Sequence, residues 1–203
     1  MTKKSPLMEN HKYEFTGETM ERHGVTLRRI RSKIDLGVLP AGTLGGWIEN
    51  DSNLSIFGNA WVSGDARVYG EAHVSGNARV SGDARVYGEA QVSGEARVYG
   101  KARVYGEARV YVRALVYGDA WVYGKTRVYG EAQVSGEAQV SGNAQVYGNA
   151  LVYGNAWVSE DAWVYGSALV YGNAWVYGHA QVYGDARVTG NPSADGSAEG
   201  HRR

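Results

Sequence analysis

The chain has 203 residues, with 21 Lys plus Arg set against 21 Asp plus Glu, and no cysteine. That balance leaves no global field to draw it to nucleic acid or to an anionic membrane, and the lack of thiols excludes disulfides and thiolate chemistry. No run is long and apolar enough for a membrane span or a secretory leader, so the expected location is the cytoplasm.

Residues 1–53 lack any repeat and contain Tyr13-Glu14-Phe15-Thr16, Val25 to Ile30 and Gly45-Gly46-Trp47-Ile48, which read as short strands between Gly and Pro turns. A capping role is expected of them. The open end of a stack of strands exposes unpaired backbone groups and core side chains that invite end-to-end assembly. Residues 54–190 then repeat one six-residue phrase, Gly-(Asn/Asp/Glu)-Ala-x-Val-(Tyr/Ser), as in Gly82-Asp83-Ala84-Arg85-Val86-Tyr87. A unit this short buries nothing alone, so successive units must wind about a shared axis. After Gly190 hydrophobic residues run out, and 191–203 reads as a flexible tail.

Ala and Val stand two apart in each unit, so on an extended strand they share the inward face, while the residue between them and the Tyr or Ser after Val point outward. Gly with a small polar residue supplies the corner. Of the 29 glycines, 21 fall there, with Val112 and Glu160 as the two departures. If the corner demands positive φ, a β-branched Val112 is strained, and a local distortion is expected over residues 110–114.

This grammar resembles the left-handed parallel β-helix family. In that family three hexapeptides make one coil of a triangular prism, with aliphatic residues inside and small residues at the corners. The resemblance implies an all-β fold: a single-stranded left-handed parallel β-helix with a small N-terminal β cap and a flexible C-terminal tail. The Val column has 23 positions from Ile56 to Val188, giving between seven and eight coils, a prism roughly 35 to 40 Å tall at about 4.8 Å per coil. The N-terminal wording, Lys12 to Thr19, Leu27 to Arg31 and Gly42 to Glu49 with its Leu-Gly-Gly-Trp-Ile-Glu segment, is similar to that of uncharacterised phage and prophage hexapeptide-repeat proteins. That likeness implies a phage or prophage origin and the cytoplasm of a bacterial host, not an activity. Such relatives are often named as transferases, a label resting on fold analogy.

Hexapeptide acyltransferases of the resembled family use a histidine base at a cleft between subunits, with acyl-coenzyme A along the prism and a loop insertion beside it. Here no insertion interrupts the repeat. Only His73, in an outward slot, and His179, at a corner, lie within it. His73 is the catalytic candidate of this transferase alternative; an outward His among Arg and Gln otherwise reads as a solvated side chain. Two lone histidines many coils apart do not make a zinc site, so neither a metal nor a cofactor is expected.

Residues eighteen apart stack on one face. Tyr69, Tyr87, Tyr105 and Tyr123 form one ladder, and Tyr111, Tyr129, Tyr147, Tyr165 and Tyr183 another. These read either as coil-stabilising stacks or as a platform for a sugar, base or peptide. The slot between Ala and Val is charged toward the N-terminus, with Arg67, Arg85 and Arg103 on one face. It turns apolar at Leu151, Trp157, Trp163, Leu169 and Trp175. Acidic corner residues flank the arginines, so local neutralisation is expected in place of nucleic-acid binding. The Trp/Leu belt marks an interface, either between copies, with a trimer implied by the family, or with a phage or host protein. The sequence reading is therefore a non-catalytic scaffold or interaction module.

Overall fold

The computed structural model describes residues 9–190, together with the backbone of 193–194 and 198–200. β1 (Tyr13–Arg22) and β2 (Val25–Ser32) form an antiparallel hairpin, and β2 pairs antiparallel with β3 (Leu44–Ile48). Beyond β3 the sheets grow by parallel pairing, as short strands recur every six residues from Trp61–Val62 to Arg187–Val188. Three parallel sheets result, one to each face of a triangular prism of about eight turns, two of them eight-stranded and the third extended by the hairpin.

Every regular rung repeats the same accounting of backbone bonds. Arg85 N donates to Ala102 O at 2.9 Å and Tyr87 N to Val104 O at 3.0 Å, so each rung is bonded to the one eighteen residues on. The Ala and Val columns from Ala60 to Val182 are fully buried, interrupted only by Thr126 in an Ala slot. Each buried Val is worth about 1.5 to 3 kcal/mol before chain entropy is subtracted. The Thr126 hydroxyl is buried without a hydrogen-bond partner, so the slot gains nothing from its polarity.

The first coil departs from the expected register. Ile48 pairs with Val68, and Leu54 with Val74, each twenty residues apart, whereas Val62 pairs with Val80 at the regular eighteen. Two extra residues therefore lie between Leu54 and Val62. Leu54, not Ile56, fills the first inward position on its face; Leu54 is fully buried, Ile56 only partly so, and Phe57 is left exposed. The expected start of the Val column at Ile56 is thus corrected, and the parallel stack begins with β3, inside the segment assigned to the cap. At the other end, Ser193–Ala194 and Ala198–Gly200 pair in parallel with Trp175–Val176 and Gln181–Gly184. Pairing therefore continues into the segment read as a flexible tail, whose other residues lie outside those described.

Side chains join the cap to the first coil. Asn53, fully buried at the end of a 3₁₀ turn (Asp51–Asn53), donates its amide to Gly70 O at 2.8 Å and Ala72 O at 2.9 Å. Its own Oδ1 accepts from the backbone of Glu49 and Asn50, so one side chain stands in for a missing strand. Tyr13 is buried with its hydroxyl on Asp51 Oδ1 at 3.1 Å, and Lys12, 1% exposed, donates its ammonium to Ser55 O at 2.8 Å. Trp61 holds an outward slot and yet is covered by the cap.

All 21 corner glycines have positive φ, and so do Val112 at 64° and Glu160 at 59°. The distortion expected over residues 110–114 does not occur. Tyr111 N bonds Val128 O at 3.0 Å and Arg113 N bonds Gly130 O at 2.9 Å, as at any other corner. The rungs on both sides over-determine the corner, and the strain stays in one residue. Val112→Gly should accordingly stabilise the fold by about 1 kcal/mol: the left-handed penalty on Val is partly offset by the greater unfolded-state freedom of Gly. Thermal unfolding should rise by a few degrees; an unchanged or lower midpoint would show that the corner holds Val without strain.

Candidate functional site

The three outward columns give the faces their characters. The first face carries Arg67, Arg85, Arg103, Trp121, Gln139, Trp157 and Trp175 in register. The second carries Leu115, Leu151 and Leu169 between arginines, and the third carries His73, Gln91, Arg109, Gln145 and Trp163. The belt residues are thus divided. Leu151 and Leu169 share the second face and are partly buried; Trp163, on the third, meets the Tyr147 ring edge-on at 6.4 Å. Trp157 and Trp175 stack on the first face at 5.3 Å, with 40% and 51% of their surface exposed.

Both predicted tyrosine ladders form. On the first face, centroids from Tyr69 to Tyr123 are 4.9 to 5.0 Å apart, and on the third face Tyr111 to Tyr183 follow at 4.9 to 5.3 Å. The second face adds the stacks Tyr99–Tyr117 and Tyr153–Tyr171, which the same eighteen-residue spacing would have revealed. Burial raises the pKa of Tyr69, Tyr87 and Tyr105 above the usual tyrosine value, and the rings of Tyr87 and Tyr105 are flanked by others above and below.

The first-face ladder breaks where Ser141 and Ser159 replace tyrosine, and beside Ser159 the belt becomes a recess. Trp157, Ser159, Glu160, Trp175 and Tyr177 line an open groove of about 390 Å³. Glu160 belongs to it for a structural reason. In place of a corner glycine it puts a carboxylate over the next corner, where Oε2 accepts from Gly178 N at 3.0 Å. That bond helps offset the cost of its positive φ and fixes an acidic group beside the tryptophans. The sequence marks the spot by losing both the tyrosine and the glycine at once, in Ser159-Glu160. Toward the N-terminus the same face carries a second groove lined by Arg67, Arg85, Arg103 and Trp121, with Asp83 and Asp119 along its corner. There the Arg103 guanidinium lies 4.7 Å from the Trp121 ring centroid, a cation–π contact.

The corners carry their own ion pairs. Arg113 lies between Glu95 at 3.6 Å and Glu131 at 2.9 Å, and Lys125 is 3.7 Å from Glu107, pairs worth little at such exposure.

His73 takes a structural partner. Its Nδ1 is 2.6 Å from Ser52 O; a carbonyl can only accept, so Nδ1 carries a proton and the ring tethers the 3₁₀ turn to the third face. His179, at a corner, is almost fully exposed and 3.8 Å from Asp161. Among the described residues, no group of three or more His, Cys, Asp or Glu is placed to hold a metal, and no helix is long and apolar enough to cross a membrane.

A family model described as the YdcK Beta solenoid repeat matches residues 60–76, 72–88, 90–106, 144–160 and 180–192. Each match begins on a residue of the Ala column, so the family's phase and that of the observed coils coincide. The likeness is one of repeat and fold, that of a β-solenoid. No curated protein matches the chain.

Proposed function

We propose that this β-solenoid is a non-catalytic interaction module that associates with further copies of itself through its C-terminal apolar belt. The observation that carries the reading is the Trp157–Trp175 stack, which leaves two large rings about half in solvent beside a groove. Exposed tryptophans bordering a recess are the residues that dominate the energy of protein interfaces. The fold supports a repeat-protein scaffold, since a rigid prism presents the same columns at fixed spacing over its whole length. The likeness of the N-terminal segment to phage and prophage proteins supports a role as a component assembled inside an infected bacterial cell.

The test is the solution mass by light scattering of the wild type and of Trp157→Ala/Trp175→Ala. The wild type should exceed the monomer mass, and the variant should dissociate at least about thirtyfold more readily, each truncated hot-spot Trp being worth about 2 kcal/mol. A wild type that stays monomeric up to high concentration overturns self-association and leaves the groove to a foreign partner.

A further inference from the structure

The first face is complementary to itself when one copy is turned end over end. Its N-terminal half is crowded with guanidinium groups and rings, from Arg85 and Arg103 with Tyr87, Tyr105 and Tyr123, and Asp83 and Asp119 balance the arginines along the corner. Its C-terminal half is aromatic, acidic and notched, from Trp157 and Trp175 with Glu160 and the gap at Ser159. An isologous contact requires one patch to fit its own copy about a two-fold axis. With the axis lying across the face, each outward column opposes the same column of the partner in reverse order.

We infer that two copies pack antiparallel on this face, with the axis between the Trp121 and Gln139 rungs. The inference rests on the self-association reading above. In this register Arg85 faces Trp175 of the other copy, Arg103 faces Trp157, and Trp121 faces Gln139. In the neighbouring column Tyr105 meets the notch at Ser159 and Tyr123 the one at Ser141. Rings fill gaps and guanidinium groups meet indole rings, a contact the chain already makes once in Arg103–Trp121. Asp119 also falls opposite Glu137, and Glu107 opposite Asp161, at the two corners that border the face, and these like charges oppose the contact.

The cap selects this register over the next. The β1–β2 tip, Arg22, His23 and Val25, lines a small cleft with Arg67, Tyr69 and Arg85, and Arg67 Nε is buried. A contact centred one half-rung nearer the N-terminus would set Trp175 against that tip. Six rungs remain, about 29 Å of face, or about 500 Å² on each copy. That area is near the lower bound for a specific pair, so the dimer should form and dissociate with concentration.

The chain's lack of cysteine makes single-thiol cross-linking direct. Arg85→Cys and Trp175→Cys, each checked for native circular dichroism, are oxidised separately and as a mixture. A covalent dimer in the mixture alone is the expected result. In that mixed pair one Arg85–Trp175 contact remains intact to hold the register. Dimers of Arg85→Cys by itself mean equal heights side by side, as in a parallel trimer, and overturn the antiparallel contact. No cross-link in the mixture, with a wild type that is still oligomeric by light scattering, also overturns it and moves the interface to another face. A monomeric wild type overturns this inference and the self-association reading together.

Discussion

Gly46→Val should detach the cap from the solenoid and cost about 3 kcal/mol of stability, the upper range for overpacking. A Cβ at Gly46 would stand 2.6 Å from Ala66 O and 2.9 Å from a Val62 methyl, and one at Gly45 2.5 Å from Ile30 and 2.8 Å from the Trp61 ring. These are backbone and buried core atoms without room to yield. Neither glycine has positive φ, so close approach, not conformational freedom, requires them. Gly42→Ala makes the contrasting control. Its Cβ would meet nothing within 4 Å, and only its φ of +84° opposes the change, at about 1 kcal/mol. Hydrogen exchange supplies the second readout. In a solenoid each coil depends mainly on its neighbours, so Gly46→Val should expose the amides of residues 44–68 while those beyond 120 keep their protection. Uniform loss along the whole chain would show that the cap and coils unfold as one unit.

The Leu-Gly-Gly-Trp-Ile-Glu wording therefore has a packing cause, and it shows what a sequence can and cannot disclose. Columns were legible because period six and period eighteen are properties of the text, and the Ala, Val and Tyr positions followed from counting. The two-residue slip at Leu54 was not, since Ile56 fits the Val column as well by type; only the pairing of Leu54 with Val74 decides it. Val112 reads from the sequence as a strained corner, but the intact ladder beside it does not, because the neighbouring rungs, which the local text does not weigh, hold it in place. The groove at Trp157 was hidden for a different reason. It arises from what is missing, the rings at 141 and 159, together with a carboxylate whose direction is set by Gly178 N.

Stability should rise above pH 8, pass through a maximum between about pH 9 and 9.5, and fall beyond it. Lys12 is held down from the ordinary 10.5 to about 8, chiefly by burial and then by the nearby Arg79 charge. Below pH 8 both states carry the proton and the folded chain bears the full cost of a buried ammonium. Between about 8 and 10.5 the unfolded chain binds more protons at Lys12 than the folded one, so this group raises stability with pH, by up to about 3 kcal/mol in total. Tyrosines act in the opposite sense. Burial raises the pKa of Tyr13, and of the ladder rings Tyr69, Tyr87, Tyr99, Tyr105, Tyr129 and Tyr147. Approaching the ordinary tyrosine value and beyond it, the unfolded chain loses protons that the folded chain retains, and stability falls. Urea midpoints followed by circular dichroism from pH 7 to 11 should trace this maximum. Lys12→Met should remove the rise and keep the fall, because it takes away the buried ammonium and leaves the ladders untouched. A wild-type midpoint that stays level from pH 7 to 10, or a Lys12→Met variant that rises as steeply, would assign the alkaline response to some other group.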